Sequence, residues 1–150
     1  MKTIIKRFEE LSNEELYAVL KLRFDVFILE QRCFYPELDD CDQRALHVWL
    51  EDEEGIAAYL RVMDRGVKSE QVSIGRVIAG RRGCGLGKEI MRTGIRAARE
   101  RLQAGAIYIE AQQYAQGFYE KLGFEVIVTK KAYYDDGEDA IYMVRSEIHG

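Results

Sequence analysis

The 150-residue chain has one proline, two histidines, three cysteines and no long hydrophobic run. Each scarcity excludes something. The lone proline, Pro36, sits among acidic residues, and no linker, repeat or low-complexity segment interrupts the chain. The cysteines, Cys33, Cys41 and Cys84, are odd in number, widely spaced and form no CxxC pair. A disulfide framework is not expected, and with two histidines neither is a zinc site; no metal is expected at all. No stretch approaches the roughly 18 apolar residues of a membrane span. The first twenty residues, MKTIIKRFEELSNEELYAVL, are too charged for a secretory leader. No membrane partner is expected, and the default location is cytoplasmic. Positive charge is not in excess either: the net charge of -4 argues against nucleic acid as the main partner.

What is present is an ordinary globular balance, 47% apolar and 32% charged, at a length that buries a core within one domain, residues 1–150. Residues 3–8 read as a strand. Ser12 then reads as a helix N-cap, with Glu15 closing a capping box and Leu11 placed to staple onto Leu16. The helical pattern runs toward Gln31 with a break near Arg23, and 32–43 is a loop. Strands are expected at 45–50, 56–63 and 72–79. A helix follows over 86–102, with Leu86, Ile90, Gly94, Ala97, Ala98 and Leu102 on one face and Gly94 as a packing glycine. A buried strand over 107–111, a short helix over 114–122 stopped by Gly123, and strands over 125–133 and 140–145 around the Asp135-Asp136-Gly137 turn complete the order. This mixed order predicts an α+β fold: a twisted, mostly antiparallel sheet of about seven strands with helices on both faces.

The stretch GRRGCGLGKEIM, residues 80–91, lies between a strand and a helix. A Walker A loop would need glycine at 82 and a hydroxyl at 89, where the chain has Arg82 and Glu89. A dinucleotide GxGxxG would need glycine where Lys88 stands. What fits is R/Q-x-x-G-x-G/A over Arg82-Gly83-Cys84-Gly85-Leu86-Gly87. Glycine lets backbone approach a ligand closely, the first-turn N–H groups of the helix point at an anion, and Arg81, Arg82 and Lys88 add charge. A pyrophosphate suits such a loop; a glycine-rich turn with solvated cations is the plainer alternative.

Ile74-Gly75-Arg76-Val77 precedes this loop, and Gly117-Phe118-Tyr119-Glu120-Lys121-Leu122-Gly123-Phe124 follows it. Together these resemble the GCN5-related N-acetyltransferase (GNAT) superfamily. Leu22-Arg23-Phe24, Val26-Phe27, Glu30-Gln31-Arg32-Cys33, Tyr35, Glu37-Leu38-Asp39, Asp42 and His47 resemble its ElaA-like branch. The resemblance implies an acetyl-CoA-dependent N-acetyltransferase acting by direct attack in a ternary complex. Backbone groups of Val77, Ile78 and Ala79 would hold the pantetheine arm. Arg82, Gly83, Cys84, Gly85, Leu86, Gly87 and Lys88 would cradle the pyrophosphate, with Gln112 and Ala115 also on the cofactor. Tyr119 would be the general acid for the departing thiolate. The family often has asparagine where Gln112 stands, and a longer connection between Arg76 and Arg82. Its branch often carries a histidine at the position of Ala140, so that base is absent.

A lysine-like acceptor is neutral in on the order of one molecule in a thousand at pH 7, so a base is needed. Glu30, Glu37, Asp39, Asp42, His47 and Glu110 are candidates, and Glu110, at a strand end near the expected reaction centre, is the expected catalytic one; a solvated strand-end carboxylate is the alternative. The 35–42 loop carries four carboxylates that would draw a cationic amine, with Glu30, Glu37 and Asp39 as substrate contacts; a solvated acidic loop is the alternative. His47, beside Trp49, reads as a hydrogen-bonded core histidine, and Arg23 as a partner of the acidic loop. The acceptor is expected to be a small-molecule or peptide amine, and the resemblance allows a homodimer. Two rival readings remain: a non-catalytic acyl-CoA sensor of the same fold, and a nucleotide-binding protein of another class.

Overall fold

The structure, a computed structural model, describes residues 1–80, 85–131, 133–134 and 137–147. Arg81, Arg82, Gly83, Cys84, Asp135 and Asp136 fall outside them, so the central part of the expected phosphate loop and the 135–136 turn are not described.

Among the described residues seven strands form one sheet in the order β1-β2-β3-β4-β5-β7-β6. Strands β1 (Lys2–Arg7), β2 (Ala45–Asp52), β3 (Gly55–Met63) and β4 (Val72–Ala79) run as an antiparallel meander. Strand β5 (Ala106–Gln112) joins β4 in parallel, and β7 (Ala140–Ser146) is antiparallel to both β5 and β6 (Glu125–Lys130). A parallel pair needs a long crossover. Here that crossover is α2 (Leu86–Leu102), at the span expected from its pattern.

Side chains alternate between the two faces of each strand. Leu46, Val48 and Leu50 of β2, Leu60 and Val62 of β3, and Ile107 and Ile109 of β5 meet Leu86, Ile90, Met91 and Ala98 of α2. A fully buried aliphatic side chain contributes about 1.5–3 kcal/mol, so this layer dominates the core. Gly94 is a packing glycine: a Cβ there would lie 2.7 Å from the Leu60 side chain. On the other face Trp49, Tyr59 and Ile78 pack with Val19 of α1 (Asn13–Arg23).

The start of α1 is set by Ser12, whose hydroxyl accepts from the Glu15 amide while Glu15 accepts from the Ser12 amide. The expected break at Arg23 is a change of winding: residues Phe24–Glu30 continue as a π-helix. The expected 114–122 helix divides into a 3-10 turn, Gln113–Ala115, and α3 (Gln116–Glu120). Gly123, at φ +95, ends that segment as anticipated, its amide donating to Glu120 and that of Phe124 to Tyr119. Strand β6 stops at Lys130 rather than 133. Among the described residues no helix is long and apolar enough to cross a membrane.

Candidate active site

The sheet opens at its parallel pair. Strands β4 and β5 pair only at Val72 with Ile107 and Ser73 with Tyr108. Both continue beyond that point, but no further pairing joins them. Residues 74–77 of β4 and 109–112 of β5 instead line one cavity of about 520 Å³. Strand backbone left unpaired beside a cavity needs partners. An extended ligand laid in the gap supplies them as an added strand would.

A bulge sharpens the opening. Tyr59 pairs with Ile78 and Arg61 with Gly75, so Arg76 and Val77 oppose Leu60 alone. Arg76 takes φ +54, an uncommon conformation outside glycine that bends the strand and turns this side chain out of the ladder. After the bulge Val77 packs on the α2 side of the sheet and Ile78 on the α1 side. At the far end of β4 the Gly80 amide donates to the Ala57 carbonyl at 2.8 Å, and a Cβ at Gly80 would meet that oxygen at 2.8 Å. The chain must be bare there.

The N-terminus of α2 follows. Gly85, at φ +70, is its N-cap, and the Glu89 amide bonds back to the Gly85 carbonyl. The amides of Leu86, Gly87 and Lys88 precede that bond, leaving donors for an anion. The Leu86 side chain is buried in the core, so this residue can offer only its backbone. Gly87 lets Phe118 approach, since a Cβ there would sit 3.3 Å from the ring. Lys88 is exposed.

Tyr119 stands on the cavity wall, with Phe118 edge-on to its ring at a centroid distance of 5.1 Å and Phe124 at 6.0 Å. Burial, with Tyr114 nearby, pushes its hydroxyl up to about 12, so it holds its proton at neutral pH. Glu110 is exposed on the same wall. The Tyr142 hydroxyl, on the residue paired with Glu110 across β5 and β7, is hydrogen-bonded to the Glu110 carboxylate. Burial and this carboxylate hold both Tyr142 and Tyr134 well above the ordinary phenol range. Gln112 and Ala115 also line the cavity. Ile78, Ala79, Gly85, Leu86, Gly87 and Lys88 do not; they lie along the same strand and helix beyond it. Ala140 opens β7, fully buried and paired with Gln112.

The 32–43 loop forms the facing wall, and three of its four carboxylates are ion-paired rather than left as a bare acidic surface. Glu37 accepts from Arg23 Nε and Arg76 Nε, each at 2.7 Å. Asp42 accepts from Arg23 Nη1 at 2.6 Å and Arg61 Nη1 at 2.9 Å. Asp39 takes Arg61 Nη2 at 2.6 Å and Lys68 at 3.2 Å. Burial alone would raise the Asp39 and Asp42 carboxyls. The arginine hydrogen bonds and charges outweigh it and hold both well below the usual carboxylate range. Asp40, the fourth carboxylate, is exposed at φ +63. Glu30 is exposed at the end of the π-helix and does not line the cavity.

The anticipated Arg23 pairing is therefore present. His47 is a core residue, with Nε2 3.0 Å from the Asp42 carbonyl and Nδ1 2.8 Å from the Tyr59 hydroxyl. Sequence reasoning missed Arg61, Lys68, Arg76, Tyr134 and Tyr142. Arg61 left one signal, a charge inside the apolar run of β3. The others look like any surface cation or tyrosine until the strands are paired.

Residues 7–124 match the Acetyltransferase (GNAT) family. A UPF0039 protein of Schizosaccharomyces pombe is 31% identical over 147 residues, spanning 95% of each chain. Among solved structures, an acyl-CoA N-acyltransferase from Pseudomonas aeruginosa superposes with a TM-score of 0.86 at 33% identity, covering 97% of this chain and 100% of that one. ElaA of Escherichia coli superposes with a TM-score of 0.87 at 31% identity, covering 97% and 99%. Splayed strands, a bulged β4 and a helix N-terminus opened by Gly85 thus occur in a chain whose likeness to these proteins runs nearly end to end: it belongs to the GNAT acetyltransferase family, in its ElaA-like branch.

Proposed function

We propose that the protein transfers the acetyl group of acetyl-CoA to a primary amine by direct attack, with both substrates bound together. The observation that carries this reading is the gap between β4 and β5, with Tyr119 and Glu110 on one cavity wall. The pantetheine arm lies along β4 beside Val77, Ile78 and Ala79. The pyrophosphate sits ahead of Leu86, and Gln112 and Ala115 flank the arm from the β5 side. Backbone N–H groups of the bulge face the thioester oxygen and stabilise the oxyanion that attack creates.

The reaction balances as follows. An ammonium gives one proton to Glu110 and becomes a nucleophile. Its nitrogen bonds the acetyl carbon, the second amine proton leaves, and the C–S bond breaks. Tyr119 supplies a proton to the sulfur and is reprotonated from solvent, so one proton is released per turnover. A phenol near 12 is a weak acid toward a thiolate of about 8.5. Complete transfer to a free thiolate would be uphill by roughly 5 kcal/mol at 1.36 kcal/mol per unit. Tyr119 therefore acts by donating a hydrogen bond while charge builds on sulfur, with transfer completed as the bond breaks.

Tyr119→Phe tests this. It should lower kcat by roughly 10²-fold or more, the usual worth of a positioned acid. Acetyl-CoA affinity by calorimetry should stay within about twofold, since the ring packing is retained. Undiminished turnover would remove Tyr119 from the mechanism. Absence of acetyl-CoA binding by the unaltered protein at millimolar concentration would remove the reading itself.

A further inference from the structure

The loop network has a surplus charge, and its position is informative. Four cations, Arg23, Arg61, Lys68 and Arg76, face three carboxylates, Glu37, Asp39 and Asp42. The members differ sharply in exposure. The Arg23 and Arg61 side chains are 0% and 1% exposed, and the three carboxylates 5%, 13% and 9%. The Arg76 side chain is 25% exposed and that of Lys68 46%. Solvent and any ligand therefore meet the cationic end of the network, although the loop sequence is acidic. Both cations line the cavity. Among the described residues Lys68 meets Asp39 Oδ2 alone, and Arg76 spends Nε and Nη2 on Glu37 and Asp39, leaving Arg76 Nη1 without an acceptor there.

Glu110 is the counterpart. In the register set by Ser73 and Tyr108, Gly75 stands level with Glu110, so Arg76 springs from β4 one residue beyond it, across the gap. Ile74 and Ile109 belong to the α2-facing core, which places Gly75 and Glu110 on the opposite face, where the loop lies. The cavity thus presents Glu110 on one wall and, on the other, Lys68 and Arg76 as the more exposed partners of Glu37 and Asp39, which line it too. Between them Phe27, Tyr35, Pro36 and Tyr133 supply apolar and aromatic surface.

We propose that the acceptor is a zwitterion of the amino-acid class, its carboxylate taken by Lys68 and Arg76, its amine presented to Glu110, and its apolar side chain laid against Phe27, Tyr35 and Tyr133. This rests on the acetyl-transfer reading above and narrows it. It also reverses the expectation that the loop draws cations: a simple cationic amine would gain one favourable contact at Glu110 and lose at the opposite wall, whereas an amino acid gains at both.

The test compares L-leucine and L-phenylalanine with 3-methylbutylamine and 2-phenylethylamine, the same skeletons without the carboxylate, and with the two amino-acid amides. Each compound is assayed for acetylation with acetyl-CoA and, separately, titrated into the CoA-saturated protein by calorimetry. The amino acids should exceed both the amines and the amides by roughly tenfold in kcat/KM and in affinity, about the worth of one charge-assisted hydrogen bond. Lys68→Gln, at an exposed position, should erode that preference through KM rather than kcat. Rescue should follow from Lys68→Arg, which restores the charge. If amines and amides are bound and acetylated as well as amino acids, or better, the zwitterion assignment is overturned while the acetyltransferase reading stands. If the protein neither binds acetyl-CoA nor acetylates any compound in the set, both fall together.

Discussion

His47 is held at both ring nitrogens. The Asp42 carbonyl can only accept, so Nε2 carries the proton and Nδ1 accepts from the Tyr59 hydroxyl. Burial, and the charges of Arg23 and Arg61 close by, keep the imidazole below its ordinary value, against the opposing pull of Asp42. The folded protein therefore binds fewer protons at this site than the unfolded chain does. The stability this contributes is complete above the unfolded value near 6.5 and is lost as pH falls below it, with a slope of up to about 1.4 kcal/mol per pH unit. Asp39 and Asp42, held low by their arginines, add a second loss once pH falls below about 4. Urea unfolding between pH 7.5 and 5 should show the first slope, and His47→Gln should flatten it whatever its effect on stability at pH 7.5. An unchanged slope in that variant would mean that the proton uptake lies elsewhere. The same contacts make His47 a support for the acceptor wall rather than a base, since its ring lies fully buried.

Helix α2 and strand β3 are joined at one tight point, where Gly94 meets Leu60. Gly94→Ala would gain helix propensity of about 1 kcal/mol. It would also drive a methyl group to 2.7 and 2.8 Å from the methyls of the fully buried Leu60. Overpacking of this kind costs roughly 1–3 kcal/mol, so the clash wins and the variant should be less stable by denaturant titration. Adding Leu60→Val should recover part of the loss; strict additivity of the two substitutions would show that the contact is not the cause. The same helix marks what was legible in advance. Its span, its buried face and its packing glycine follow from a 3.6-residue apolar period, and the alternation of β2 and β3 is as plain. The π-helix at Phe24–Glu30 is not legible, because its residues suit an ordinary helix equally well. Neither is the bulge at Arg76, because nothing in an arginine announces a positive φ. In the site, charges were visible but, Arg23 apart, their partners were not. Glu37 and Asp39 read as free carboxylates until Arg61 of β3 and Arg76 of β4 are folded against them.

As a whole the sheet is two blocks, β1 to β4 and β5 to β7. The pairs Val72 with Ile107 and Ser73 with Tyr108 join them, and α2 crosses between. Every other neighbouring pair in the sheet has at least five residue pairs in register, so the gap is a local property of this junction. In the binding mode proposed above, a cofactor arm lying in it would complete the sheet and tie the blocks together. Saturation with acetyl-CoA at 100 times its Kd should add about 2.7 kcal/mol of stability. For a chain of this size that corresponds to a rise in Tm of roughly 5–10 °C. The location of the effect discriminates more sharply than its size. Hydrogen exchange should slow within residues 74–79 and 109–112 by more than the global gain predicts, because amides there exchange a solvated gap for ligand partners. Amides in the β2–β3 ladder, already bonded, should slow only as far as global stabilisation requires. Uniform protection along the chain, or protection confined to the helix N-terminus at residues 85–88, would show that the arm does not occupy the gap, and the geometry proposed for acetyl transfer would fail with it.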